Sequence, residues 1–264
     1  MPTNALQVAS TGLEAQGHRM QVIANNLANV GTSGFKRDRA NFATLAYQDA
    51  RVAGQRSSAQ TAYATGLNLG TGVALQSTSQ IVTQGTLNMT DQPYDLALDG
   101  NGYFQVERPD GGLVYTRAGN FSLSADGQLV TQQGFAVQPT ITVPEGTTGV
   151  AIAPDGTVTA MLPGQAEPSE VGQLQVAQFV NPAGLRAIGD NFLQETAASG
   201  PAQLAAGGEQ GRGNIRQGML EQSNVNIVEE LVAMIECQRA YEINSKMVSA
   251  VDNMLQNANQ TLGR

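Results

Sequence analysis

Ser223-Asn-Val-Asn-Ile-Val-Glu-Glu-Leu-Val-Ala-Met-Ile-Glu-Cys-Gln-Arg-Ala-Tyr-Glu-Ile-Asn-Ser-Lys246, with its continuation to Arg264, is the stretch from which the fold is read. From Ile227 an apolar residue returns at every seventh position, at Met234, Tyr241, Val248, Leu255 and Leu262. A second row, offset by three, runs Glu230, Cys237, Asn244, Val251, Ala258. Nine of these eleven positions are apolar, which is the seam of a helix that supercoils against another helix. Asn226 and Glu229 have capping-box spacing at its start, and Gly263 can end it. A lone amphipathic helix cannot bury such a stripe, so this one requires a partner.

The partner is at the other end of the chain. Leu6, Leu13, Met20 and Leu27 repeat at seven, and Ala9, Gln16, Ile23 and Val30 fill the offset row. The predicted fold class is therefore α+β: long N- and C-terminal helices pairing as a coiled coil, with an all-β domain inserted between them. The expected boundaries are 1–33 for the first helix, 34–72 for an extended arm, 73–220 for the β domain and 221–264 for the last helix.

The composition suits this division. In 264 residues there are 30 Gly, no Trp and only 14% charged side chains, the profile of a turn-rich β protein with uncharged polar faces. No apolar run approaches the length of a membrane span, and no basic stretch followed by an apolar core marks a secretory signal near the N-terminus. The net charge of −8 is uneven: residues 1–56 carry +3, 57–220 carry −8 and 221–264 carry −3. An acidic body argues against nucleic acid as a partner, and the short basic patch Lys36, Arg37, Arg39 reads as a solvated or interface face.

The first helix should stop near Asn29–Gly31, because Gly31 and Gly34 can supply a left-handed termination. From residue 38 to about 70 the apolar spacing fits neither a helix nor a strand for long, so the segment reads as a linker or as an arm that folds against a neighbour. Beyond Gly70 the turn dipeptides Asp99-Gly100, Asn101-Gly102, Asp110-Gly111, Asp126-Gly127 and Asp155-Gly156 separate runs of strand length, among them Tyr103–Val106, Leu113–Thr116, Ala136–Val143 and Thr157–Met161. Residues 197–213, rich in Gly and Ala, read as an irregular return.

A search for chemistry finds little. The only His, His18, falls in the first helix, and the only Cys, Cys237, on the seam of the last, so a catalytic pair would have to be built from the coiled coil, without a pocket. One His and one Cys cannot supply a zinc set. Gly70-Thr-Gly72 and Gly100-Asn-Gly102 lack the third glycine of a dinucleotide loop. Asp99-Gly100 fits a hairpin turn better than a calcium loop. The expectation is no catalytic residue, no cofactor and no metal.

Two terminal motifs carry a resemblance. Ala24-Asn-Asn-Leu-Ala-Asn-Val, with Asn25, Asn26, Leu27 and Asn29, followed by Gly34-Phe35-Lys36-Arg37, is similar to the N-terminal signature of the bacterial flagellar rod and hook family. Ser223-Asn224-Val225-Asn226 and Gln238-Arg239-Ala240-Tyr241-Glu-Ile-Asn-Ser-Lys246 resemble the same family's other end. Between them, Gly102-Tyr-Phe-Gln-Val106, Tyr115-Thr-Arg-Ala-Gly-Asn-Phe121 and Asp126-Gly-Gln-Leu-Val130 resemble its β domain. Overall length and the Ala46–Gly72 arm point, within the family, to the distal rod rather than the longer hook subunit.

The resemblance implies a structural subunit that leaves the cell through the flagellum's own export apparatus and polymerises into a hollow tube crossing the periplasm. Its implied partners are copies of itself, the hook protein, proximal rod proteins and the surrounding basal-body rings, with no nucleic acid and no membrane insertion. The subunit interface would then be built on Leu6, Leu13, Met20, Ile23, Leu27 and Val30 of the first helix. On the last helix it would use Ile227, Met234, Cys237, Tyr241, Val248, Val251, Leu255 and Leu262. Three alternatives stay open: a hook or proximal rod subunit of the same family, an adhesin-type β module closed into a coiled-coil trimer, and a β-rich cell-wall hydrolase.

Overall fold

A computed structural model describes residues 2–56, 60, 62–163 and 168–262, with the side chains of 2, 3, 258, 259, 261 and 262 outside the description. The chain has an α+β fold with one long helix near each end and a large β-rich middle. It divides into two compact units. One gathers Met1–Leu27, Asp38–Ser79 and Asn226–Arg264, and the other gathers Ala28–Arg37 and Gln80–Val225.

The first unit holds α1 (Pro2–Ala28) and α2 (Ile227–Leu262), of 27 and 36 residues. Asn226 caps α2: its side-chain oxygen accepts the Val228 amide at 3.1 Å, one of the orphan donors of a helix N-terminus. The Cys237 thiol donates to the Gln16 carbonyl at 3.1 Å, and Asn26 Nδ2 donates to Glu230 Oε1 at 3.4 Å. A Cβ on Gly12 would stand 3.1 Å from Asn244 Nδ2. Positions rise along α1 as they fall along α2, so the two helices lie antiparallel.

The offset rows hold most of the buried positions of the two helices, with Ala15 and Asn26 buried outside them. Ala9, Ile23, Glu230, Cys237 and Val251 are buried, and Asn244 is half-buried. Small and polar side chains at these positions let the backbones approach and exchange hydrogen bonds, which a row of leucines would prevent.

The segment expected to lack regular structure forms two ribbons within the same unit. Strand β1 (Asp38–Thr44) pairs with β4 (Val73–Gln80), and β2 (Gln48–Arg51) pairs antiparallel with β3 (Leu67–Leu69). The Leu45 amide donates to the Gly72 carbonyl at 3.0 Å and closes the base of the β2–β3 ribbon. Arg51 lies 4.0 Å over the Tyr63 ring, a cation–π contact that stiffens it. Its backbone bonds are supplied across the ribbon, so apolar periodicity was not needed to specify it.

The second unit is built around β7 (Tyr103–Glu107), which lies inside a nine-stranded antiparallel sheet; β5 (Leu87–Met89) and β6 (Leu96–Asp99) precede it and β8 (Leu113–Thr116) follows. On one side β7 pairs with β8. On the other it pairs with Ala136–Gln138 through Gln105–Glu107 and with Val176–Gln178 through Tyr103–Phe104. Four successive residues of β7 are buried because both faces are covered. Phe104 points into the main core with Leu96, Leu98, Phe121, Val176 and Ile215, while Tyr103 packs with Tyr115 and Phe179 on the opposite face.

Three expectations for this region are corrected. The Gly100–Gly102 stretch is not a hairpin, because β6 pairs with Asn214–Gln217 and β7 with β8, so it carries the chain from one sheet to another. The expected Ala136–Val143 strand ends at Gln138, where Pro139 cannot donate to a ladder. Part of the expected irregular return is also regular, since Gln203–Ala205 pairs with Val176–Gln178.

Candidate assembly site and its buried junction

The residues predicted for the subunit interface fall into three groups. Ile23, Cys237 and Val251 are buried within the first unit. Leu6, Leu13, Met20, Leu27, Met234, Val248 and Leu255 are half-buried, and so is Val30, which lies past the end of α1. Ile227 and Tyr241 are exposed, at 48% and 45%. The side chain of Leu262, like those of Ala258 and Gly263 in the predicted seam and cap, lies outside the described residues.

Beyond this seam α2 carries apolar residues that the heptad count passes over. Val228, Leu231, Val232, Ile235, Ile243, Met247 and Met254 are all exposed, by 43–69%. Val228 and Ile235 precede Cys237 by nine and two residues, which at about 100° per residue puts them on the far side of the helix from the thiol. A helix apolar on both sides needs more cover than a single neighbouring helix gives. The signal was in the sequence as a second three-four spacing, 228-232-235, hidden by the stronger seven-residue count.

The terminal motifs have local structural roles in both units. In the first, Asn26 is buried, donates to the Asp38 carbonyl and accepts the Asp38 amide, each at 2.9 Å, and so ties the end of α1 to the start of β1. Asn25 and Arg239 are exposed on the helices, and Ala240 is half-buried. In the second, Asn29 accepts from the Thr32 hydroxyl at 3.2 Å in the turn that follows α1. Gly34 sits at φ +69° and its amide donates to the Glu221 carbonyl at 2.7 Å. Gly31, the other predicted terminator, is not left-handed.

Asn224 joins strands far apart in sequence. Its Oδ1 accepts the Arg37 amide at 2.8 Å, its Nδ2 donates to the Ile81 carbonyl at 2.7 Å, and its own amide donates to the Phe35 carbonyl at 3.4 Å. Ser223 Oγ accepts the Val225 amide, and Val225 is buried. Segments 34–37, 81–85 and 221–225 thus lie side by side.

At their centre is an ionic node. The Glu221 carboxylate is fully buried; Oε1 accepts from Lys36 Nζ at 2.5 Å and from the Gly85 amide at 2.9 Å, and Oε2 accepts from Arg117 Nε at 2.7 Å. Arg117 donates its remaining fork to the carbonyls of Gly102 and Gly100, both at 2.5 Å, and Leu98, at 3.4 Å. Lys36 Nζ also donates to the Thr83 carbonyl at 2.8 Å. Burial holds the Lys36 ammonium below its ordinary value, against the opposing pull of Glu221. Neither Glu221 nor the role of Arg117 was legible in the sequence, because a lone Glu after Leu220 reads as an exposed residue.

Nothing in this arrangement resembles catalytic chemistry. The node is satisfied by its own members, and a shallow cleft of about 250 Å³ beside it, lined by Lys36, Tyr103, Arg117 and Val180, holds no nucleophile with a base. Among the described residues no group of His, Cys, Asp or Glu has metal-ligating geometry, and no helix is long and apolar enough to cross a membrane.

Comparison with known proteins accounts for these segments. Residues 6–36 match the family described as flagella basal body rod protein, 97–160 the flagellar hook protein FlgE/F/G D1 domain, and 216–261 the flagellar basal body rod FlgEFG protein C-terminal family. Over 97% of its length the chain is 50% identical to the flagellar basal-body rod protein FlgG of Buchnera aphidicola subsp. Acyrthosiphon pisum, covering 98% of that protein. Against two proteins of Caulobacter vibrioides it is 49% identical to flagellar basal-body rod protein FlgG, over 97% of this chain and 98% of that one. To FlgF of the same bacterium it is only 31% identical, over 99% and 98%.

Proposed function

The chain belongs to the flagellar basal-body rod protein family, as a structural protein of the basal body and not an enzyme, and we propose that it is the repeating subunit of the distal rod. The higher identity to FlgG than to FlgF within one bacterium favours that position over the place of FlgF. The subunits polymerise into a hollow axial tube that spans the periplasm, passes torque from the motor to the hook, and conducts exported subunits. The chain itself leaves by the flagellar export apparatus. Its partners are further copies, the hook protein, the proximal rod proteins and the surrounding rings.

One observation carries the reading: α2 is apolar on two sides, and α1 lies against only one. The inner rows, Ala9, Ile23, Cys237 and Val251 with the half-buried Leu6, Leu13, Met20, Leu27, Met234, Val248 and Leu255, pair the two helices as a coiled coil. The outer residues, with Ile227 and Tyr241, pack on the helices of the next subunits. A heterologous contact whose rotation does not close builds an open helical tube. Helices that lack these neighbours in the monomer are marginal and order fully on joining the polymer. The β2–β3 ribbon, carrying exposed Tyr47, Val52 and Leu67, wedges against an adjacent subunit and makes the tube straight and stiff.

The test is to concentrate purified protein and follow it by negative-stain imaging and circular dichroism together. Tubes that appear as helical signal rises support the reading; a closed trimer at all concentrations sinks it.

A further inference from the structure

We propose that Glu221 is the positioning residue of this subunit, and that through it the Lys36–Glu221–Arg117 node carries load between the β body and the chain segments leading to both helices. The inference rests on the rod-subunit reading for its mechanical meaning, and on the node alone for its geometry.

Three features carry it. The members come from places remote in sequence, Lys36 lying 185 residues from Glu221 and Arg117 lying 104. All three are almost excluded from solvent, with side-chain exposures of 5%, 7% and 0%. Two cations face one carboxylate, and backbone carbonyls of Thr83, Gly100 and Gly102 take up the surplus charge, so the network closes only when every member is present.

Such a network adds little net stability over apolar packing of the same volume, yet it admits one geometry. Apolar contacts are non-directional and let surfaces slide, whereas hydrogen bonds weaken steeply with angle. The planar fork of Arg117, spread over Glu221 and carbonyls of the β6–β7 connection, resists displacement in its plane. Shear arriving along segment 34–37 or 221–224 therefore meets directional bonds, not a greasy contact.

Amide hydrogen exchange on the purified full chain tests the coupling. In E221Q the segments around Gly34, Gly85 and 221–224 should open as one unit, with exchange faster by about 100- to 1000-fold, while β7 keeps its protection. R117K, which keeps the charge and loses the fork, should do the same. Faster exchange confined to 220–224, or no change, overturns the proposal. If E221Q does not fold, K36Q, which leaves Glu221 and Arg117 paired, decides by the same criterion.

In cells lacking the native subunit, E221Q should restore swimming in dilute medium and fall several-fold behind the native chain in viscous medium. Swimming equal to native in both media, or lost in both, overturns the mechanical role. Failure of the native chain itself to restore swimming refutes the rod reading instead, and the exchange result then stands by itself.

Discussion

Gly34→Ala should be among the most damaging single-methyl changes in the chain, and its size follows from the geometry. The residue sits at φ +69°, where an L side chain costs about 1–2 kcal/mol. The added Cβ would lie 2.6 Å from the Arg117 carbonyl carbon and 2.7 Å from both the Arg117 oxygen and the Ala118 nitrogen. These are backbone atoms, so no rotamer relieves the overlap, and shifting them costs about 1–3 kcal/mol more. The sum, about 2–5 kcal/mol, is a large part of a typical folding free energy of about 5–15 kcal/mol. In a unit of this size it should lower the melting temperature by about 4–20 °C. Near-ultraviolet circular dichroism reads the change, since the chain has no Trp and Tyr103 and Tyr115 pack on Phe179 in the same unit. Gly31→Ala is the control: its Cβ would meet nothing within 4 Å, so it should stay within about 0.5 kcal/mol of native. Equal melting of the two variants would refute the reasoning.

Three further outcomes are expected. Ile235→Asp should leave the monomer within about 0.5 kcal/mol of native but raise the concentration needed for tubes by tenfold or more, since about 1.4 kcal/mol lost per contact gives a factor of ten; sedimentation of assembled material measures it, and an unchanged threshold removes the outer face of α2 from the interface. Deleting Ala50 to Thr65 should leave assembly intact and turn straight tubes into curved ones, visible by imaging; straight tubes would reduce the ribbon to a linker. The Tyr115 hydroxyl is pushed up to about 12 by burial and by the adjacent Glu195 carboxylate. The unfolded chain then loses that proton first, so this group leaves stability unchanged below pH about 10 and lowers it as pH rises from there toward about 12. Tyr115→Phe should abolish that step in a denaturation series against pH.

The helices were legible because a seven-residue apolar period held over five repeats is the pattern of a helical seam and of little else, and the Asn226 cap because its donor is only two residues away. Leu113–Thr116 and Thr157–Met161 were found with their observed bounds, as both sit beside an Asp-Gly turn that a neighbouring strand shares. Asn214–Gln217 was missed because its partner β6 lies more than a hundred residues earlier, and short polar strands are specified by such pairing and not by their own pattern. The same reason hid the node. Lys36 was noticed as part of a basic patch and of the Gly34–Arg37 motif but not as half of an ion pair, and its counter-charge lies at the far end of the β body. Local signals report local bonds, and the junction has none.

That separation sets a schedule for folding. When the chain emerges N-terminus first, Lys36 appears early, and the carboxylate it needs follows 185 residues later. At about 5–20 residues per second of synthesis, the interval is about 10–40 s, long compared with the folding of most small domains. Throughout it the first motif has no counter-ion and the carbonyl of Glu221 is not there to receive the Gly34 amide. The closing bonds of the β unit are written into its last residues, so the subunit cannot lock before nearly all of it has arrived. The order of the residues along the chain thereby times when the unit can close.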